Sequence, residues 1–403
     1  VLIALCAGLT MATSILISQH YGAKDFIQLR KVVDSSTILI AVVSVGLLIM
    51  GEFMAGPILK AMDTPPDVLP LSIGYLRISF WGLPFGFGLF LIRSMLQGIG
   101  DSKSALYFQG LSLLLNAVLD PLLMFGLLGL PKLGLNGTAW ATIIAQSLML
   151  FCLWFYLKKK QSLVAPSFTQ FQFDWPTTWT TIRIGIPSAI QQSLVSIGMI
   201  FITSIVNGFG ETVTAAFGAA SRIDQIAFMP AMTFSMAIST MTGQNIGAQK
   251  FHRIKEIFYW GCLMSGCITA MASLLAVSMP HFLLSIFINR PEVISEGVSY
   301  LHIVGSCYLF FAIMFVSNGI ISGAGHTFMT TIISLISLWI VRVPFATYFS
   351  HHLGQSKGIW YAISLSYLVA MATSLSYYFS GRWKKAIGRR RGVPPTPPEP
   401  EIL

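Results

Sequence analysis

The sequence has little charge. Asp, Glu, Lys and Arg make up 10% of its 403 residues, whereas hydrophobic residues make up 54%. Because a soluble domain carries about 25% charged residues, this composition excludes an ordinary water-soluble domain. The chain is predicted to lie in a lipid bilayer.

Reactive motifs are also scarce. The five cysteines fall in apolar segments without Cys-x-x-Cys spacing, which excludes a zinc or disulfide framework. No phosphate-binding Gly-x-x-x-x-Gly-Lys-Ser/Thr loop occurs, which disfavours an ATP-driven pump. The seven histidines are not spaced as metal ligands, and no paired carboxylates or nucleophile with a base stand out. We therefore predict that the chain is not an enzyme, and a membrane-embedded enzyme is the weakest alternative.

Long apolar runs are abundant instead. Eleven of them approach or exceed the length of about 20 residues that crosses a bilayer. Their continuous hydrophobicity differs from the alternation of barrel strands, so all are predicted to be helices. They cover residues 1–22, 33–57, 70–97, 104–127, 136–157, 179–206, 214–243, 257–279, 297–322, 327–349 and 357–380.

The basic residues predict orientation. Seventeen Lys and Arg residues lie in one set of alternate loops and the C-terminal tail, and four lie in the other set. Because short cytoplasmic loops carry the excess of positive charge, the first set and the C-terminus are expected in the cytoplasm. This asymmetry accounts for the net charge of +10, and no nucleic-acid partner is expected. The sparse set consists of Lys60, Lys132, Arg290 and Lys357.

One stretch of the sequence occurs twice in similar form. The segment MATSILISQHYGAKDF begins at Met11, and MAISTMTGQNIGAQKF begins at Met236. A constant spacing of 225 residues aligns Gln19 with Gln244 and Gly22 with Gly247. We expect these two glycines to let the chain turn sharply after a helix.

The duplication continues along the chain. YLRI at 75–78 matches YLHI at 300–303, and QGIGDS at 97–102 matches SGAGHT at 322–327. An even number of helices per repeat makes both halves cross the bilayer in the same direction. The predicted domains are a first lobe at 1–160, a linker at 161–178, a second lobe at 179–381, and a basic, proline-rich cytoplasmic tail at 382–403.

The predicted helix at 179–206 has no repeat partner within the sequence, since its position 225 residues earlier would precede Val1. We expect about 40 to 60 further residues upstream, enough for one helix and part of another. The expected fold is an all-α polytopic membrane protein of two six-helix bundles related by a parallel repeat, with the first helix missing here.

Several motifs together resemble one transporter family. GQNIGA, RIDQIAFMPAM, QGIGDSK, NAVLDPLLMFG and RVPFA occur inside the two halves and are similar to those of the multidrug and toxic compound extrusion (MATE) family. The resemblance covers residues 1–381. It implies two helix bundles in a V that exchange H⁺ or Na⁺ for organic compounds, usually cationic drugs. No cofactor other than the coupling ion is expected, and the protein is expected to be a monomer in the cell membrane.

Asp120 is the main candidate for ion coupling. A carboxylate near the bilayer centre costs at least about 2.5 kcal/mol, so it is rare unless it is used. Asn116 lies four residues earlier and therefore on the same helix face, and Pro121 frees a backbone carbonyl nearby. These oxygens suit H⁺ or Na⁺, and no other metal site is expected. The alternative is an aspartate that only hydrogen-bonds to a neighbouring helix.

The resemblance extends this site to the next helix. Asn116 and Asp120 match the family's NxxxD pattern in the first lobe, and Thr142 matches a threonine that joins it. Thr138 is the fallback, because extra loop residues make this register uncertain. Val195 and Phe311 occupy positions where some members carry carboxylates, which directs coupling toward the first lobe.

Other polar residues in the apolar segments have competing interpretations. Asp224 lies two residues after Arg222, so the two face different sides of a helix; a structural role is favoured over secondary coupling. Gln191, Gln192 and Ser193 form a polar notch, which in a bundle faces inward and is the predicted cavity lining. A lipid-linked precursor flippase remains the alternative function, although a pyrophosphate site would need more Arg or Lys.

Overall fold

The computed structural model describes residues 2–129, 131–166, 172–353 and 355–384. These residues are almost entirely helical, and none of them forms a strand. Part of the predicted linker, 167–171, and most of the predicted tail, 385–403, lie outside the described residues.

The first lobe is built from six helices and a short 3₁₀ turn. The helices are α1 (Leu2–Gly22), α2 (Phe26–Ala61), α3 (Leu69–Trp81), α4 (Leu83–Ile99), α5 (Ser102–Phe125) and α6 (Leu135–Lys159). The turn, Leu127–Gly129, follows α5.

The second lobe contains nine helical segments and a π-helical turn. They are α7 (Trp175–Asn207), α8 (Glu211–Gly247), α9 (Phe251–Ser278), α10 (Pro280–Ser285), α11 (Pro291–Gly305), α12 (Tyr308–Gly323), α13 (Thr327–Leu335), the π-helical turn Ile336–Arg342, α14 (Val343–Leu353) and α15 (Lys357–Phe379). A 3₁₀ turn, Arg382–Lys384, ends the described chain.

Each predicted apolar run is present as a helix or a bent pair of helices, except that α13, the π-helical turn and α14 together form one continuous span at 327–349. In the described part of the chain, nine helices are long and apolar enough to cross a membrane, and up to eleven if each bent pair counts as one span. The bends measure 42° between α3 and α4 and 46° between α11 and α12. Pro84 lies in the first turn of α4, where its missing N–H costs little.

Several helices extend beyond the apolar runs, because their ends are polar. The helix α7 begins at Trp175, inside the predicted linker, where the Asp174 carboxylate accepts a hydrogen bond from the Thr177 backbone N–H. Asp25 and Asp101 cap α2 and α5 in the same way. Aspartate at this position satisfies an N–H group that has no partner within the helix.

The prediction about Gly22 and Gly247 was wrong. Both glycines are the last residues of helices, α1 and α8. The left-handed backbone of the turns is adopted by Lys24, with φ 55°, and Gln249, with φ 60°. These two residues are also separated by 225 positions, so the turn itself is duplicated.

Buried apolar side chains form a core in each lobe. In the first lobe they come mainly from α1, α2, α4 and α6 and include Met95 and Leu153. In the second they come mainly from α8, α11 and α15 and include Tyr300 and Trp360. Large apolar side chains such as Phe53, 78% exposed, point away from these cores, as expected where lipid is the solvent.

The two lobes meet where α1 packs against α7 and α8. The predicted linker contacts α2 through residues that precede its undescribed part and through residues that follow it. Arg30 Nη1 donates to the Ala165 carbonyl at 2.7 Å, and Ser35 Oγ accepts from the Asp174 N–H at 3.1 Å. We call the end of the bundle that carries Lys24, Lys103 and Lys250 the basic end.

Candidate functional site

Close packing of α5 against α6 brings the candidate site together. A Cβ added to Gly137 would lie 2.5 Å from the Leu123 backbone oxygen. Any larger residue would therefore push the two helices apart. With glycine there, the polar residues of α5 reach the first turns of α6.

Asn116 is the centre of this site. Its Nδ2 donates to Asp120 Oδ1 at 3.2 Å and to Thr142 Oγ1 at 3.2 Å. Thr142 Oγ1 in turn donates to the Thr138 backbone oxygen at 3.0 Å. The structure thus brings Asn116, Asp120 and Thr142 into one hydrogen-bonded group.

Thr138 does not contribute its side chain to this group. Its hydroxyl donates to the Leu135 backbone oxygen at 2.8 Å, within α6. Of the two threonines named from the sequence, Thr142 therefore lies in the site, and Thr138 contributes only a carbonyl. The register of α6 against α5, which the sequence left open, decides between them.

The site lies far from the basic end. Asp120 follows the first residue of α5, at the basic end, by 18 positions, which is about 27 Å along a helix. Asp120 and Asn116 are each half-buried. Asp120 therefore lies nearer the opposite end of α5 than its middle, which differs from the position near the bilayer centre expected from the sequence, and the group is partly accessible.

The chemistry of the site is that of a carboxylate held by an amide. A Na⁺ ion would need the oxygen of Asn116 turned inward, to join Asp120 and Thr142 as hard oxygen ligands. Among the described residues, no group of three or more His, Cys, Asp or Glu could hold a metal ion.

Asp224 lies in a different setting, inside the core of the second lobe. It is 7% exposed, and the hydroxyls of Tyr300 and Tyr308 each donate to one of its carboxylate oxygens. Arg222 lies elsewhere, with its guanidinium 5.8 Å from the centre of the Phe287 ring. The tyrosine partners were not identified from the sequence, where tyrosine among apolar residues indicates only core or lipid contact.

The polar notch on α7 is divided between two environments. Gln191 Nε2 donates to Ser334 Oγ at 2.8 Å, and Gln191 Oε1 accepts from Thr330 Oγ1 at 3.1 Å. These contacts bind Gln191 to α13 within its own lobe. Gln192 is exposed, and Ser193 is partly exposed, as is Gln191. Because both amide atoms of Gln191 are already paired with α13, Gln192 and Ser193 are the notch residues left to contact a ligand.

Known proteins are similar to this sequence along nearly its whole length. The sequence profile of the MatE family matches residues 1–122 and 187–348. The probable multidrug resistance protein YpnP of Bacillus subtilis (strain 168) is 33% identical over 378 residues, covering 94% of this chain and 83% of that protein. The probable multidrug resistance protein YoeA of the same strain is 31% identical over 388 residues, covering 95% and 84%.

Solved structures share the fold. A crystal structure of MATE in the bent conformation matches with a TM-score of 0.89 at 23% identity, covering 95% of this chain and 85% of that one. An outward-facing conformation of a multidrug resistance MATE family transporter of the MOP superfamily matches with a TM-score of 0.88 at 22% identity, covering 95% and 86%. The sequence profile, the relatives and the arrangement of membrane helices agree, and the chain belongs to the MatE family of multidrug resistance transporters.

Proposed function

We propose that this protein is an antiporter that exports organic, often cationic, compounds in exchange for H⁺ or Na⁺. The observation that carries the proposal is the contact of Asn116 with both Asp120 and Thr142 across α5 and α6. An ionisable group with two polar neighbours inside an apolar segment is costly to maintain without a use.

The exchange depends on two arrangements of the lobes. Binding of an ion shifts such an equilibrium only by its difference in affinity for the two arrangements. A site that joins two helices can have that difference, because a small movement of α6 against α5 changes the distance between Thr142 and Asn116. Loading Asp120 would then favour one arrangement, and unloading it would favour the other.

The remaining parts of the proposal concern orientation and substrate contact. The protein would lie in the cell membrane with its basic end and C-terminus in the cytoplasm, in accord with the excess of positive charge there. The lipid bilayer is its solvent, and we expect a monomer. Gln192 and Ser193 are the notch residues that could contact an organic cation.

Asp120→Asn in the native protein tests the coupling role. It keeps the size and hydrogen bonding of the side chain but removes the ionisable group. Efflux of a fluorescent organic cation in everted vesicles should fall to the level of vector vesicles under a proton gradient, a sodium gradient or both. Asn116→Ala should reduce efflux less. The matched control is Asp67→Asn, in the exposed loop between α2 and α3.

Two results would contradict the proposal. If Asp120→Asn, expressed at the parental level, pumps at the parental rate with the parental ion dependence, Asp120 only packs against its neighbours. If the parental protein moves lipid between leaflets without a gradient and does not export the dye, it is a flippase instead.

A further inference from the structure

The repeated segments make the same hydrogen bond in opposite directions. Gln19 Nε2, in the first lobe, donates to the Gly323 carbonyl of the second at 3.0 Å. Gln244 Nε2, in the second lobe, donates to the Gly98 carbonyl of the first, also at 3.0 Å. The two glutamines lie 225 positions apart, and so do the two glycines. The contact is therefore symmetric between the lobes.

The acceptors are carbonyls that lack a partner within their own helix. Gly98 is the second-last residue of α4, and Gly323 is the last residue of α12. The last four carbonyls of a helix have no N–H to accept from within it. Each glutamine thus caps the end of a helix in the opposite lobe, which is a reason for an amide donor at these positions.

The glycines at the ends of α1 and α8 make this contact possible. A Cβ added to Gly22 would lie 1.9 Å from the Gln244 backbone oxygen, and one added to Gly247 would lie 2.0 Å from that of Gln19. The two backbones therefore touch, and they do so symmetrically. This close approach explains why the duplicated segment keeps glycine although the turn does not need it.

We propose that Gln19, Gln244, Gly98 and Gly323 form a latch that holds the lobes together at the basic end in one of their two arrangements. The proposal rests on the two lobe arrangements of the proposed function. When the lobes separate at this end, both bonds break and the carbonyls accept from water instead. Because both bonds join the same two lobes, separation of the lobes at this end breaks them together.

Each of the two bonds favours the closed basic end over the open one. A neutral hydrogen bond changes an equilibrium by about fivefold. Gln19→Leu should therefore raise the ratio of open to closed basic ends about fivefold, and Gln244→Leu should do the same. The two substitutions together should raise it about 25-fold, the product of two bonds that each favour the closed arrangement.

Spin labels at Lys103→Cys and Phe328→Cys measure this ratio. The two residues are exposed, lie 225 positions apart, and occupy the first turns of α5 and α13 at the basic end of each lobe. In a background without the native cysteines, double electron–electron resonance should show one main distance. The leucine variants should add a longer distance whose weight follows the expected ratio.

Glycine variants provide a matched second test. Gly22→Ala and Gly247→Ala should increase the fraction of molecules at the longer distance, because the added methyl groups collide with the opposite backbone. Gly46→Ala in α2 and Gly218→Ala in α8 should leave the distance distribution unchanged, since a Cβ at either position meets nothing within 4 Å.

An unchanged distance in the folded double leucine variant would overturn the latch. Loss of folded protein in the leucine variants, with the two control alanine variants folded, would also overturn it, because the bonds would then stabilise the fold and not one arrangement. The measurement needs no ion gradient or transported compound. A shifted distance alongside normal pumping by Asp120→Asn would refute the coupling role and leave the latch intact.

Discussion

The tyrosine contacts of Asp224 lead to a prediction about stability. Tyr300→Phe removes one hydroxyl that donates to this carboxylate, and Tyr308→Phe removes the other. Asp224 is 7% exposed, so water does not replace the lost donor. Since a hydrogen bond to a charged group contributes about 1.5 to 3 kcal/mol, each variant should lower the free energy of unfolding by about 2 kcal/mol.

The two substitutions should not be additive. After the first, one hydroxyl still donates to Asp224; after both, the carboxylate keeps neither tyrosine donor. The double variant should therefore lose more than the sum of the two single losses, as expected for residues in one network. Unfolding in mixed detergent micelles, followed by helical circular dichroism, measures all three free energies.

The control for this series is Tyr75→Phe, which changes an exposed tyrosine of α3. It should alter the free energy of unfolding by less than about 0.5 kcal/mol, as is usual for surface substitutions. Equal stability of Tyr75→Phe and Tyr300→Phe would refute the reasoning, because the buried hydroxyl would then contribute nothing to the carboxylate.

Asp224→Asn separates a structural role from a coupling role. A structural role predicts lower stability and an unchanged dependence of the remaining efflux on pH and Na⁺. A changed ion dependence in dye efflux would place a coupling site in the second lobe.

Two further predictions concern the packing of the first site and the orientation. Gly137→Ala should abolish efflux, because its Cβ would collide with α5 at 2.5 Å, whereas Gly110→Ala, whose Cβ meets nothing within 4 Å, should pump normally; equal efflux in the two variants would show that the α5–α6 spacing is not needed. Lys24→Cys and Lys250→Cys, each in a background without native cysteines, should react with a membrane-impermeant maleimide in everted vesicles and not in intact cells. Labelling of either residue in intact cells would reverse the proposed orientation.

Secondary structure was largely predictable from the sequence. The apolar runs were long enough to indicate helices without any knowledge of their neighbours, and the structure contains a helix or a bent pair at each. Errors occurred at polar ends, as at Trp175, because a cap such as Asp174 extends a helix beyond its apolar part. The bends near Gly82 and Ser306 were not predicted, since each run reads as continuously apolar.

The candidate site was predictable only within one helix. Asn116 and Asp120 are four residues apart, and that spacing alone places them on one face. The partner on α6 depended on the register between two helices, which the close approach at Gly137 sets. Thr142 and Thr138 lie on the same face of α6, so no periodicity could choose between them.

Features that depend on local spacing and composition were readable from the amino acids alone: membrane helices, a parallel repeat at 225 residues, and one carboxylate with an amide on its helix face. Which polar groups meet became known only from the packing of the helices. It gave Asp224 two tyrosines and gave each glutamine of the repeat a carbonyl in the opposite lobe. A helix that is apolar on nearly every side does not indicate which face meets which neighbour, and these contacts therefore could not be predicted from the pattern of its residues.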